Sequence, residues 1–323
     1  MLFKKLFLSL GLVLAIVMNP IALYALSVVP GGDSIGIELN YPGVIITGGY
    51  QIKINDVTYN PIENDFRIGD IIIAIDHQAV KNICELSEAI KEDGSKKSDF
   101  DLTIIRNNNK INLNLHVVVE NQKLLTGLYI KDAISGVGTL TFYNPQDNSF
   151  GALGHAMSDS KISNSELIQT GDIYESNVTD IKKATKNQAG NKIAEINEIE
   201  IGNISTHNQF GIYGKYNYDI SKRESLEVAK IDEVKLGKAY FLTVLKGQKI
   251  EQCEIEITKL NKQDHIEEKG IEFRVIDQKV IKKASGIVQG MSGSPIIQDN
   301  KIVGCVTHVS GNNPITGYGL LAT

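Results

Sequence analysis

A glycine-rich turn near the end of the sequence carries two serines among residue types that suit nucleophilic chemistry. The stretch GIVQGMSGSPIIQ, residues 286–298, places Ser292 and Ser294 two positions apart between apolar runs. Gly290 allows the backbone to approach a substrate carbonyl closely. The backbone N–H groups of Gly290 and Ser292 can converge on one oxygen, as in an oxyanion hole. A glycine- and serine-rich hairpin without chemistry is the alternative.

A histidine earlier in the chain is the candidate base for such a serine. His155 follows Gly154 directly after a predicted return strand at residues 150–153. The end of an element, next to a glycine, is a place where an imidazole is readily exposed in a cleft. A histidine within hydrogen-bond reach of a serine hydroxyl can take its proton and make it a nucleophile. A structural role is the alternative for this histidine.

Composition and charge exclude several other classes of function. The chain has 323 residues, 42% of them hydrophobic, and a net charge of −5 without a block of Lys or Arg. This length suggests about two domains, and the charge argues against a nucleic-acid partner. The three cysteines form neither a CxxC pair nor a zinc-like cluster, so we expect buried, unreactive thiols. We expect no metal and no cofactor.

The first 27 residues form a targeting segment. Lys4 and Lys5 precede an apolar run over residues 6–18, and a second apolar piece follows at residues 21–26. The first run has the length of a signal-peptide core, and the whole stretch approaches the ~20 residues that span a bilayer. We therefore expect residues 1–27 to be a signal peptide or a membrane anchor, and the rest of the chain to be exported.

Short predicted strands, one helix and a hairpin follow in residues 28–119, and this order resembles a PDZ domain. The stretch FRIGDIIIAIDHQAV and the helical LSEAIKE match that family. The resemblance implies that an extended peptide adds a strand beside residues 35–39. Its C-terminus would be held by the backbone of Ser34, Ile35, Gly36 and Ile37. A PDZ-shaped packing module without a ligand is the alternative.

The remaining residues, 120–323, are predicted to be mainly β. Alternating apolar runs and turn signals suggest two barrel-like halves with a cleft between them. His155 then comes from the first half, and Ser292 comes from the second half.

Several motifs of this second region resemble known peptidases. GMSGSP resembles the G-D-S-G-G-P turn of chymotrypsin-like serine peptidases, which makes Ser292 the nucleophile. The stretches GVGTLTFYNP, FGALGHAMSD, IVQGMSGSPIIQDNKIVGCVTHV and NNPITGYG resemble the SpoIVB peptidase family over nearly the full length. The resemblance implies a PDZ domain followed by a trypsin-like double β-barrel with a His, Asp and Ser triad.

The resemblance also indicates the third triad residue. The family's aspartate lies shortly before the serine motif, and the matching residue is Asp277 in IEFRVIDQKV. A triad needs one carboxylate against the imidazole Nδ1–H. Asp159, four residues after His155, is the competing candidate, although a carboxylate so close in sequence suits the turn itself.

The biological role implied by the resemblance is specific. It is an exported, membrane-associated serine endopeptidase of sporulation, acting in the forespore intermembrane space. Its protein substrate at the membrane is a regulatory protein, and its cleavage activates intramembrane proteolysis of a sigma-factor precursor. Self-cleavage is also implied. A PDZ scaffold on an inactive peptidase fold and a general quality-control protease are the alternatives.

Overall fold

The computed structural model describes residues 26–322 except 55–56, 94–96, 121–122, 158–169, 186–187, 221, 262–266 and 312. Nearly all of the expected signal or anchor segment, residues 1–27, therefore lies outside the described residues. Within the described ranges, none of the helices is both long and apolar enough to cross a membrane.

The protein is mainly β, as the sequence predicts. The strands are β1 (Ser27–Pro30), β2 (Ser34–Gly49), β3 (Ile52–Ile54), β4 (Val57–Tyr59), β5 (Ile71–Ile75), β6 (Gln78–Ala79), β7 (Asp99–Arg106), β8 (Asn109–His116), β9 (Val118–Glu120), β10 (Lys123–Leu125), β11 (Leu128–Asn144), β12 (Ser149–Leu153), β13 (Thr170–Lys182), β14 (Asn191–Asn208), β15 (Gly211–Tyr216), β16 (Leu226–Val228), β17 (Gly237–Val244), β18 (Ile250–Leu260), β19 (Ile271–Val275), β20 (Pro295–Gln298), β21 (Lys301–Ser310) and β22 (Asn313–Leu321). The helices within the described ranges are α1 (Pro61–Asn64), α2 (Ile83–Asp93) and α3 (Gln278–Ala284), and a 3₁₀ helix covers Ile231–Glu233.

The first half of the peptidase region is a closed antiparallel barrel. Its strands pair in the cycle β2, β11, β12, β15, β14, β13 and back to β2. Alternate side chains of these strands point inward, and they bury an apolar core that includes Ile37, Leu140 and Phe150. Closure leaves this sheet without an edge of its own.

The second half is a closed barrel of the same kind. Its strands pair in the cycle β17, β18, β19, β22, β21, β20 and back to β17. Phe241, Phe273 and Met291 lie in its core. Two barrels joined in sequence confirm the predicted double-barrel architecture, and the candidate base and nucleophile come from different barrels.

The PDZ region packs around a third core made by α2, β5, β7, β8 and part of β2. An ion pair between Asp70 and Arg106 stabilises the turn at residues 67–70, just before β5. Arg106 donates from Nε to Asp70 at 2.7 Å and from Nη2 at 2.6 Å, and the Arg67 backbone N–H donates to the same carboxylate at 2.8 Å. The Gly69-Asp70 motif therefore has a structural reason, because the Asp70 side chain is only 2% exposed.

Two long strands belong to both regions. The beginning of β2 lies in the first barrel, and its Val44 and Ile45 pair with β5 of the PDZ sheet. The strand β11 pairs with β2 along both parts. The two regions therefore share a continuous sheet.

One expectation about the cysteines is wrong. Cys253 and Cys305 are buried, but Cys84 is exposed on α2. Cys84 lies on the exposed face of that helix, although its sequence neighbours Ile83 and Leu86 are apolar.

Removing the Asp70 carboxylate should destabilise the protein. We expect Asp70→Ala to lower the free energy of unfolding by about 3 kcal/mol, because it leaves the guanidinium of Arg106 largely buried without its partner. The measurement is denaturant unfolding of the purified chain.

A matched control for this prediction is an exposed pair with a similar contact. Arg274 and Glu256 approach to 2.6 Å, but their side chains are 55% and 42% exposed. Arg274→Ala should cost less than about 1 kcal/mol. Equal losses from the two variants would contradict the role given to Asp70.

Candidate active site

The turn that carries Ser292 is seated directly on the first barrel. Gly290 and Gly293 both have positive φ, at 92° and 91°, a region that glycine adopts without strain. A Cβ at Gly293 would lie 2.1 Å from the Thr139 carbonyl oxygen and 2.5 Å from the Leu153 nitrogen. Only glycine allows the serine turn to approach β11 and β12 this closely.

The predicted oxyanion donors are available. Neither the Gly290 nor the Ser292 N–H donates a hydrogen bond to any described residue, whereas the neighbouring N–H groups of Met291 and Gly293 donate to Val288 and Val306. The carbonyl of Met291, which shares a peptide group with the Ser292 N–H, accepts from Ser294 at 3.1 Å. Because a trans peptide points its carbonyl and N–H in opposite directions, the Ser292 N–H points away from Ser294.

The two serines of the turn lie in different environments. The Ser292 hydroxyl is half-buried and donates to the Thr307 carbonyl at 2.9 Å. Ser294 is fully buried, and its hydroxyl has no hydrogen-bond partner among the described residues. Only Ser292 therefore has a hydroxyl that a substrate can reach.

A tight turn presents His155. At the end of β12, Leu153 has a φ of 77°, and the Gly154 N–H donates back to Ala152 at 3.1 Å, which is the bond of a γ-turn. Positive φ at a bulky residue is strained, and such strain collects at functional sites. The chain turns sharply at this point and projects His155 from the barrel end.

The imidazole of His155 is oriented by a backbone carbonyl. Its Nδ1 lies 2.8 Å from the Ala156 oxygen. A carbonyl only accepts, so this bond requires a proton on Nδ1, and in the neutral ring the lone pair is then on Nε2. The ring therefore has the tautomer that a general base requires.

His155 and Ser292 lie against the same segment of β21. The ring of His155 stands 5.0 Å from the ring of His308, centroid to centroid. Ser292 is bonded to the adjacent Thr307. In this resting geometry the serine hydroxyl must rotate away from Thr307 to reach an imidazole, and catalytic hydrogen bonds often form only when substrate is bound.

His308 is a site residue for which the sequence predicts no chemistry. Its Nε2 lies 3.8 Å from Glu268, and its Nδ1 is buried with no partner among the described residues. Burial, reinforced by His155, lowers the pKa of His308, so we expect it to be neutral beside His155. The only sequence signal is its place in the strand that follows the serine motif.

Among the described residues, Asp277 makes its hydrogen bonds to Glu254, Lys279 and Val280 and none to His155. Its carboxylate is the N-cap of α3 and accepts from Lys279 at 2.7 Å and from Val280 at 3.3 Å. Asp277 lies just beyond the end of β19. Glu268 lies before the start of that strand, and its carbonyl accepts a hydrogen bond from Thr307, next to the His308 that His155 contacts. The five residues of β19 span about 16 Å. The competing candidate, Asp159, lies outside the described residues.

The predicted peptide-binding edge is not free, which corrects the expectation for Ser34, Ile35, Gly36 and Ile37. This part of β2 is paired with β11 on one side and with β13 on the other. All four residues are buried. A peptide cannot add a strand beside residues 35–39, because both backbone edges already serve the first barrel.

A different groove of the PDZ region does remain open. It has a volume of about 840 Å³ and lies between α2 and the beginning of β11. Leu86 and Ile90 of α2 form one wall, and Leu125, Leu128 and Ile130 form the other. In the part of the chain that the structure describes, residues 128–131 pair on one edge only, with β2.

The described residues contain no group of three or more His, Cys, Asp or Glu that could hold a metal ion. The two barrels, the serine turn and the histidine between them define a chymotrypsin-like serine peptidase. Comparison with family models agrees, with a match to the SpoIVB peptidase S55 family over residues 122–323 and to the PDZ domain over residues 34–117. The chain belongs to the SpoIVB peptidase S55 family and is a sporulation serine peptidase that carries a PDZ domain. No curated protein matches the chain.

The position of Asp277 generates a discriminating prediction. Asparagine caps helices as well as aspartate does, so Asp277→Asn should keep both stability and peptidase activity close to wild type. Asp277→Ala should lower the free energy of unfolding by about 1 kcal/mol through loss of the cap. Thermal melts and peptide cleavage measured on both variants test this.

The triad hypothesis predicts a different result for the same variant. If Asp277 acts as a triad carboxylate, the asparagine variant should lose about 10⁴-fold in rate while its melt stays unchanged. That result would show that the active arrangement differs from the one described.

Proposed function

We propose that this protein is an exported serine endopeptidase in which Ser292 is the nucleophile and His155 is the general base. The single observation that carries the proposal is the contrast within one turn. Ser292 offers a reachable hydroxyl beside two N–H groups that have no partner among the described residues, whereas Ser294 is buried. Family membership supports the same assignment.

The catalytic groups of the proposed mechanism all belong to this chain. Ser292 Oγ attacks the substrate carbonyl while Nε2 of His155 takes its proton. The N–H groups of Gly290 and Ser292 stabilise the oxyanion that forms. His155 then donates the proton to the leaving amine, and a water molecule hydrolyses the acyl-enzyme. The Ala156 carbonyl holds the tautomer of His155, which is the task usually given to a carboxylate.

The proposed biological role follows from the family. The peptidase acts in sporulation, in the forespore intermembrane space, and cleaves a membrane-linked regulatory protein. That cleavage activates intramembrane proteolysis of a sigma-factor precursor, and the peptidase also cleaves itself. An exported chain with a PDZ domain and an N-terminal apolar segment suits a protein substrate held at a membrane.

Substituting each serine of the turn tests the proposed activity. Ser292→Ala should reduce cleavage of a peptide substrate about 10⁴-fold or more, because the nucleophile and its base act as a unit. Ser294→Ala should keep its activity and should raise the free energy of unfolding by about 1 kcal/mol, because it removes an unpaired buried hydroxyl.

Self-processing and cleavage at equal protein concentration are the measurements, with thermal melts as the folding control. An active Ser292→Ala protein would refute the peptidase assignment. It would leave a PDZ scaffold on an inactive peptidase fold as the remaining interpretation.

We further propose that the groove between α2 and β11 binds an extended peptide, which would pair with residues 128–131. Ser87 lines this groove, and the adjacent Glu88 is exposed and does not. Ser87→Trp should weaken binding at least about tenfold by filling the groove, which corresponds to about 1.4 kcal/mol. Glu88→Trp should bind like wild type.

The probe for this prediction is a fluorescent peptide that ends in an apolar residue with a free carboxylate, followed by fluorescence anisotropy. Equal affinity of both tryptophan variants and wild type would exclude this groove as the peptide site.

A further inference from the structure

A lysine is buried behind the serine turn. Lys192, on β14, is 4% exposed. Its Nζ donates to Thr243 Oγ1 at 2.9 Å and to Thr139 Oγ1 at 3.3 Å, and no carboxylate of the described residues bonds to it. A buried cation without an opposite charge is costly to keep. A residue of this kind calls for a functional reason.

The partners of Lys192 lead directly to the turn. Thr139 donates from Oγ1 to the Gly290 carbonyl at 2.7 Å, and its backbone N–H donates to the Ser292 carbonyl at 3.0 Å. The backbone N–H of Lys192 donates to the Gln289 carbonyl at 2.9 Å. One residue is therefore tied to the turn twice, once through its main chain and once through a threonine.

The main-chain bond sets the direction of an oxyanion donor. The Gln289 carbonyl and the Gly290 N–H belong to the same peptide group, and none of the peptide bonds that the structure describes is cis. The two groups of a trans peptide point in opposite directions. Because Lys192 holds the Gln289 carbonyl on the inner side, the Gly290 N–H faces outward, where it meets no acceptor among the described residues.

The side chain of Lys192 also fills the space beneath Gly290. A Cβ at that glycine would lie 3.0 Å from Cδ of Lys192 and 3.1 Å from its Cβ and Cγ. The same side chain connects β11 and β14 of the first barrel with Thr243 of β17 in the second barrel. The turn thus rests on a lysine that spans the interface between the barrels.

We propose that Lys192 is a positioning residue of the oxyanion hole, whose ammonium holds the Thr139 hydroxyl against the Gly290 carbonyl and so fixes the N–H groups that stabilise the transition state. The proposal rests on the proposed peptidase function. It assigns to Lys192 no contact with substrate.

The charge of Lys192 can respond to pH in a useful range. Burial lowers the pKa of Lys192 to about 7. Cys253 on β18 is the titratable group that acts on it, and burial raises the pKa of that thiol to about 12, so the thiol stays neutral. Loss of the lysine proton above pH 7 should weaken the hold on Thr139. The rate should therefore decline on the alkaline side.

The same pKa gives a signature that does not depend on activity. An unfolded lysine titrates near ~10.4, so between about pH 7 and pH 10 the unfolded chain binds a proton that the folded chain does not. Stability from this residue therefore rises with pH across that window. Lys192→Met should remove this rise and should melt at the same or a higher temperature than wild type at pH 6.

The test is steady-state cleavage of a peptide by the full chain, with kcat and KM determined separately. Lys192→Met should lower kcat at least about tenfold and change KM less than about twofold, and its alkaline decline should disappear. Thr139→Val should lower kcat similarly. The double variant should be no worse than Thr139→Val alone, because both changes interrupt one path.

Thr243→Val is the matched control. It removes the other hydroxyl partner of Nζ, which has no bond to the turn, so kcat should stay within about threefold of wild type. Wild-type kcat in Lys192→Met, or a kcat loss that occurs together with a lower melting temperature at pH 6, would overturn the proposal. If Ser292→Ala cleaves the peptide as fast as wild type, the proposed peptidase function itself is refuted, and the role of Lys192 with it.

Discussion

The close seating of the serine turn on the first barrel is the constraint on which the site depends. Gly293 approaches Thr139 and Leu153 so closely that no side chain fits between them. The nucleophile of the second barrel is therefore held by main-chain contacts of the first barrel, and the histidine leaves that barrel two residues after Leu153. Base, nucleophile and oxyanion donors share one junction, so a shift of either barrel would disturb all of them together.

The two long strands extend this junction toward the PDZ region. A single strand, β11, begins beside the open groove at Leu128 and passes Thr139, which holds the serine turn. The strand β2 runs alongside it through both regions. The PDZ region is thus joined to the peptidase by continuous hydrogen-bonded strands rather than by a flexible linker. Because the beginning of β2 pairs with β11 on one side and β13 on the other, it has no free edge for a peptide.

Much of this arrangement was predictable from the sequence. Alternating apolar residues and turn signals predict a mainly β chain of two barrels, and the glycines around Ser292 predict a serine turn with free N–H groups. The histidine was recognisable because a glycine and a strand end precede it. Each of these features depends on residues that are close together in the sequence, so a short sequence pattern is enough to predict it.

The features that the sequence does not predict depend on contacts between residues that are distant in the chain. Residues Ser34–Ile37 match a PDZ loop in sequence, yet their partners on β11 and β13 place them inside a barrel. Asp277 has the spacing of a triad residue, but it follows a strand and begins a helix, where a carboxylate is also an N-cap. Lys192 stands in an alternating polar strand that resembles an exposed one, and only the barrel closure buries it.

Covalent labelling of the purified full chain with a peptidyl phosphonate, located by mass spectrometry, identifies which serine is the nucleophile. We expect one adduct, on Ser292, in wild type and in Asp277→Asn, and none in Ser292→Ala. An adduct on Ser294 or no adduct in wild type would contradict the assignment of the nucleophile. Labelling of wild type with none in Asp277→Asn would contradict the carbonyl-oriented histidine.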